Sequence, residues 1–301
     1  MVPARTLKYF LFLTLTTLAC GLTMPAPTAP TMDAVTQVAF SLTADQLKNA
    51  SYELGAHDDH ALVQLTNGKY QQGTDATTLG YASVVMTDFV SFGDLDHDGV
   101  NEGAAVVYEN YGGTGNFGML ALYSDQDGKP VFVTSTMIDD RPTINGLTIE
   151  NNEMILDAII HGFDDPGCCA SLSTKQWYRL VGTTLHLMKY ISLTPDGQPH
   201  EIKLSSPMDG DSSNPVQVKG DVSIAPFENT LSYHVYELAG TELTAGPVPV
   251  IAADPGAPGT FDSTIDLSMI PAGSTVFLEI QDLSAVDGSI IAKDAVQLTL
   301  K

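Results

Sequence analysis

Apolar and polar residues alternate along most of the chain, in short runs cut by Gly, Pro, Asn and Asp. A period of two suits the β-strand, whose successive side chains point to opposite faces. Residues 61–65, 69–70, 81–90, 104–108, 119–123 and 131–134 read as strands on this ground. Asn151-Asn152 joins 147–149 to 154–156 as a hairpin, and 176–181 meets 185–188 around Gly182-Thr183. One helical pattern precedes them: in 41–50, Ser41 or Thr43 can cap a turn that places Leu42, Gln46 and Leu47 at helical spacing. A break falls at Thr194-Pro-Asp-Gly-Gln-Pro199. Beyond it Leu231, Tyr233 and Val235 face one way and Ser232, His234 and Tyr236 the other. Phe261-x-Ser263-x-Ile265-x-Leu267, Val276-x-Leu278-x-Ile280 and Val296-x-Leu298-x-Leu300 repeat the alternation, with turns at 255–256, 271–273 and 287–288.

The expected fold class is mainly β. An N-terminal antiparallel β domain with one short helix (α+β) spans 38–192, and a hundred residues of short alternating strands over 200–301 form an immunoglobulin-like β-sandwich. The length, more than one ordinary core takes, agrees with two domains. The second contains no cysteine, so its core rests on apolar packing alone.

Residues 1–20 are not expected to join either fold. Arg5 and Lys8 precede a short apolar run, 9–19, that ends in the small residues Ala19-Cys20-Gly21, the layout of an export signal. Thr17-Leu18-Ala19-Cys20 resembles the lipobox of bacterial lipoproteins, although Thr17 stands where that family prefers Leu. The resemblance implies acylation of Cys20 and anchoring of the exported protein to a membrane through lipid only. The other reading is an ordinary secretory signal with an incidental cysteine. A Pro-rich stretch over 21–37 reads as a semi-extended tether.

Two cysteines remain, the adjacent Cys168 and Cys169. An oxidising compartment favours pairing them, but neighbouring Cα atoms lie about 3.8 Å apart, under the usual ~4.4–6.8 Å of a disulfide. A vicinal bond, two buried thiols and an intermolecular bond all stay open.

Composition bears on the partners. With 44% hydrophobic and 16% charged residues, the chain is neither a disordered tail nor a fibrous repeat. Thirty-six acidic residues against 13 basic ones give a net charge of −23, and no basic stretch interrupts the pattern, which excludes nucleic acid as a partner. Residues 1–20 carry two basic residues and no acid, so their removal leaves 11 against 36, or −25. Carboxylate-rich loops suit hard divalent cations instead.

The sharpest motif is Asp94-Leu-Asp96-His-Asp98-Gly99-Val100-Asn-Glu102. Carboxylates at the first, third and fifth positions converge when the loop curls, Gly99 permits the turn, and the Val100 carbonyl and Glu102 can complete an oxygen shell for Ca²⁺. Ala105 stands where an EF-hand has its bidentate Glu, and the flanks are strand-like, so the loop looks more like those between the strands of integrin-type β-propellers. The ion's expected role is structural, pinning a loop that repulsion among four carboxylates would open.

Other clusters carry less. His57-Asp58-Asp59-His60 has zinc-type donors but no second ligand pair, and reads as a polar loop. Asp139-Asp140-Arg141 reads as a local ion pair. His161-Gly-Phe-Asp164-Asp165-Pro-Gly-Cys-Cys169 gathers imidazole, carboxylates and thiols in one turn-rich stretch that could sit near the Asp94 loop. Gly112-Gly-Thr-Gly115 lacks the Lys-Ser/Thr ending of a phosphate loop and reads as a hairpin connection. No nucleophile-elbow or zinc-protease motif is present.

From 202 to 300, Ser206-Pro207, Asn214-Pro-Val-x-Val-x-Gly220, Phe227-Glu-Asn-Thr-Leu231, Gly259-Thr-Phe261 and Asp287-Gly-Ser289 occur in the order of the Gmad2 domain, which this segment resembles. That family is the immunoglobulin-like module named for bacterial spore-germination proteins, and the resemblance implies a β-sandwich without a known catalytic residue. Nothing upstream looks like the GerMN domain often paired with it. The first domain is similar to uncharacterised bacterial lipoprotein segments through Gly93-Asp-Leu95, Gly113-Thr-Gly-Asn-Phe117 and Cys168-Cys169. The expected function is therefore non-catalytic: binding of a protein or glycan, adhesion or a structural role at the outward face of a bacterial envelope. The rival is a secreted hydrolase or redox protein using 161–169.

Overall fold

The computed structural model describes residues 41–57, 60–211 and 213–301. The export signal, Cys20, the tether and the Asp58-Asp59 pair lie outside these residues. The fold is mainly β, built of antiparallel sheets with one short helix.

Helix α1 (Ala44–Leu47) is a single capped turn, shorter than the 41–50 pattern predicts. The Thr43 hydroxyl accepts from the Gln46 N–H at 3.3 Å, and the Gln46 side chain accepts from the Thr43 N–H at 2.9 Å. Leu42 and Leu47 are its only large buried anchors, so nothing rewards further turns, and the chain leaves to pair β1 (Ser51–Glu53) with β2 (Leu62–Gln64).

A five-stranded meander follows: β3 (Lys69–Gln72), β4 (Ala82–Gly93), β5 (Glu102–Asn110), β6 (Phe117–Gln126) and β7 (Lys129–Asp140). Its central strands are apolar on both faces because both faces are covered. Ala105, Val107, Met119 and Ala121 pack under α1, β1 and β2, whereas Ala104, Val106, Leu120 and Leu122 meet the next layer. That layer comprises β8 (Thr143–Glu150), β9 (Glu153–Ile160), β10 (Leu172–Val181) and β11 (Thr184–Leu193). Asn151 and Asn152, at φ 53 and 63, form the hairpin turn between β8 and β9.

The two-residue β12 (Pro199–His200) pairs with β11 across the 194–199 break. The second core then lies between two sheets formed by β13 (Ile202–Ser206), β14 (Val216–Val222), β15 (Thr230–Glu237), β16 (Glu242–Ala252), β17 (Gly259–Ile265), β18 (Thr275–Leu283) and β19 (Ile290–Thr299). Strand β16 serves both sheets: Glu242 to Pro249 pair with β15, and Val250 to Ala252 with β17. Val218, Leu231, Val235, Phe261, Leu278 and Ile280 fill the interior. At Gly220 a Cβ would collide with the Lys203 carbonyl and the Phe261 ring, so the close approach of these strands needs glycine here. Strand β19 also pairs with β11 through Lys189 to Ile191, which makes the hydrogen-bonded sheet continuous from β8 to β13.

Candidate metal centre and other polar clusters

The β4–β5 hairpin closes with Gly93 opposite Glu102, and the Asp94 loop is the connection between them. Gly99 (φ 86) takes the left-handed conformation expected of it, and His97 (φ 66) joins it. Backbone donors curl the loop around its own carboxylates. The Asp94 carboxylate accepts from the His97 N–H at 2.7 Å and the Gly99 N–H at 3.1 Å. Asp98 caps the Val100 N–H at 2.7 Å, and Asp96 accepts from the Asp98 N–H at 3.2 Å. The Leu95 side chain, 2% exposed, plugs into the core between the sheets, while its N–H donates to Glu102 at 2.7 Å. From the β8–β9 turn, the Asn152 amide donates to the Asp94 carbonyl at 2.6 Å.

The result gathers one carboxylate oxygen each from Asp94, Asp96 and Glu102 within 4.8 Å of one another. Asp98 is outside this group of three, its carboxylate engaged on Val100. Glu102 is 3% exposed, and burial pushes its carboxyl up to about 7; the charges of Asp96, Asp98 and Asp94 add to that rise, and the Leu95 N–H opposes it. An all-oxygen set with mutual repulsion, its Glu102 buried, Asp94 half-buried and Asp96 exposed, is chemically suited to a hard cation.

His161 lies at the other end of β9 from the Asn152 turn, about 26 Å away along an eight-residue strand. The 161–169 stretch therefore does not sit near the Asp94 loop: β9 runs its full length between them. Asp139 accepts from both the His161 N–H (2.6 Å) and its Nδ1 (2.7 Å), and this hydrogen bond raises the imidazole above its ordinary pKa. His161 Nε2 is buried without a partner beside a cleft of about 490 Å³. Ser289 lines the same cleft, but its hydroxyl donates to Asp287 at 2.9 Å. Asp165 ties the loop by accepting from the Gly162 and Ser171 N–H groups at 2.8 and 2.7 Å. Cys168 and Cys169 are exposed there and joined as a vicinal disulfide, Cα atoms 3.8 Å apart.

Asp140 and Arg141 form the local ion pair expected of them. His57 packs on Tyr111 with ring centroids 4.8 Å apart, and His60 Nδ1 lies 3.6 Å from Glu53. Gly112 to Gly115 connect β5 to β6 as a hairpin loop.

Two polar networks have no signal in the motif pattern. Glu109, fully buried, accepts from the Gly55 and Ala56 N–H groups at 2.8 Å each, from the Tyr111 hydroxyl at 2.6 Å and from the Tyr52 hydroxyl. The second, around Lys293 and Glu279 on β19 and β18, joins residues from four strands. A charged residue within an apolar strand run was the available hint for each.

No protein-family model matches the chain, and no curated protein matches it.

Proposed function

We propose that this chain is an exported, lipid-anchored bacterial envelope protein with a non-catalytic binding, adhesion or structural role, one of whose loops is held by Ca²⁺. The observation that carries the calcium reading is the convergence of Asp94, Asp96 and Glu102 at the end of a hairpin whose Leu95 is seated in the core. Oxygens up to 4.8 Å apart match the span across an ion bound at roughly 2.4 Å. Asp98 and the Val100 carbonyl complete the shell in this reading. The ion supplies charge neutralisation; the chain supplies Leu95 and Asn152, which hold the loop against the β8–β9 turn. The sequence layout of 1–37 and the Gmad2-like landmarks of 202–300 support the envelope address and the binding role.

The test is a melting curve in calcium and in chelator. A calcium-dependent rise, abolished by Asp94→Ala with Asp98→Ala, is the expected result, and equal curves refute the metal loop. Intact mass of membrane-extracted protein checks the anchor: an unmodified soluble product refutes it.

One observation favours the rival hydrolase or redox reading, the Asp139–His161 pair with Nε2 free beside a cleft. Hydrolysis of a nitrophenyl ester, lost on His161→Ala, is what that reading requires.

A further inference from the structure

The face of β15, β18 and β19 turned away from the sandwich core is unusually furnished. Strand register sets Ser232, Gln281 and Lys293 in one row, then His234, Glu279 and Ala295, then Tyr236, Phe277 and Gln297. Lys293 is 6% exposed and bonds Glu279 at 2.6 Å, and the Gln281 amide donates to the other Glu279 oxygen at 2.6 Å. A desolvated ion pair adds little stability over apolar residues of the same volume, so the fold alone gives no reason for one on a sheet's outer face. From β11, His186 lays its ring on Phe277 with centroids 4.4 Å apart, yet its Nε2 is buried and unpartnered. Such an atom is destabilising unless a partner arrives. On the other side His234 and Tyr236 stack nearly parallel, and both bond Glu242, at 3.0 and 3.1 Å. His186, His234, Tyr236, Glu279 and Lys293 border a depression of about 540 Å³, within the usual range of small-ligand sites, and Glu242 joins it through its bonds to His234 and Tyr236.

We propose that this face binds a neutral saccharide. Lys293 is already matched with Glu279 and Glu242 is hydrogen-bonded to His234 and Tyr236, so an ionic ligand must break the pair or the bonds that a neutral one leaves intact. An anion also meets Glu279 and Glu242 on a chain of net charge −23. A wholly apolar ligand strips water from the ion pair and returns no hydrogen bond. Sugar hydroxyls donate and accept at once: they donate to the free lone pairs of the two carboxylates and meet His186 Nε2 in either tautomer. Burial, with the Lys293 charge, holds His186 below its ordinary pKa, so the ring facing those hydroxyls is neutral at pH 7. The Tyr236 and His234 rings offer a flat surface to the C–H face of a pyranose.

The ligand class specifies the binding role proposed above and does not depend on the calcium loop. The experiment is a titration of the His186 and His234 ring resonances with maltohexaose, cellohexaose, chitohexaose and mannohexaose at millimolar concentrations, in calcium and in chelator. At least one probe is expected to shift both rings saturably under both conditions. Tyr236→Ala and Glu242→Gln should each weaken that binding roughly tenfold, the loss of one contact from such a site. No shift with any of the four probes overturns the proposal. So does unchanged affinity in both variants, since Glu242→Gln keeps the side chain's shape and guards against misfolding as the explanation. Saccharide binding without a calcium response sinks the metal loop alone; a calcium response without saccharide binding sinks this face alone.

Discussion

Replacing Glu102 by Gln should make the metal-free protein more stable and the calcium-loaded protein less so. Glu102, Asp94 and Asp96 bring carboxylate oxygens within 4.8 Å, so each pair of charges repels by about 0.9 kcal/mol in a water-like medium and about 3.5 kcal/mol at an effective dielectric of 20. Glu102 takes part in two of the three pairs. With Asp96 exposed and Glu102 buried, the relief on neutralising it is on the order of 2 kcal/mol. Glutamine keeps the oxygen that accepts from the Leu95 N–H, so the loop's attachment survives. For a folded portion of this size, 1 kcal/mol moves the melting temperature by roughly 2–4 °C, which predicts a rise of about 4–8 °C in chelator. Calcium at a hundredfold excess over its dissociation constant stabilises the wild type by about 2.7 kcal/mol, or roughly 5–11 °C, and should do nothing for the variant. Scanning calorimetry of both proteins at pH 9, above the value of about 7 at which Glu102 titrates, in chelator and in calcium reads all four values. A variant that melts below the wild type in chelator would refute the electrostatic reasoning.

Three further outcomes follow from the same geometry. Burial lifts Asp282, 5% exposed on the core side of β18, to about 6 from an unfolded value of 3.8; the folded state therefore holds a proton that the unfolded chain has lost, and stability present below about pH 4 falls by roughly 3 kcal/mol as the pH rises through 6. Asp282→Asn should melt well above the wild type at pH 8 and level with it near pH 4; an equal gain at both would show that burial of the charge is not the cause. Leu95→Ala empties a core site between the sheets and should lower stability by about 2–5 kcal/mol while weakening calcium binding, checked by denaturant titration with and without the ion; a calcium response equal to the wild type's would show that Leu95 does not position the ligands. Gly220→Ala forces a Cβ against the Lys203 carbonyl and the Phe261 ring and should cost about 1–3 kcal/mol in the same assay, so a neutral result would contradict the packing described for β13, β14 and β17.

What the sequence disclosed follows from how local each feature is. The Asp94 loop is legible because its donors lie within nine residues and its turn glycine sits among them. Strands with one buried face showed the period of two, and β5 and β6 showed continuous apolar runs because both faces are covered. Strand β1 shows no alternation because Tyr52 is its single apolar residue, and β16 gives no clear strand signal because Pro247 and Pro249 lack the N–H a ladder uses. The Lys293–Glu279 face was not legible at all: His186, His234, Glu279 and Lys293 come from four strands, and the β15–β18, β18–β19 and β11–β19 pairings bring them together. The placement of His161 away from the Asp94 loop is likewise a matter of strand direction, which spacing along the chain does not encode.

The most direct test of the calcium reading is a crystal structure grown with calcium and examined for anomalous signal at the tip of the β4–β5 hairpin. The account predicts one ion, bound at roughly 2.3–2.6 Å by oxygens of Asp94, Asp96, Asp98, Val100 and Glu102. An ordered loop without that ion, its carboxylates bonded only to backbone N–H groups and water, would contradict it.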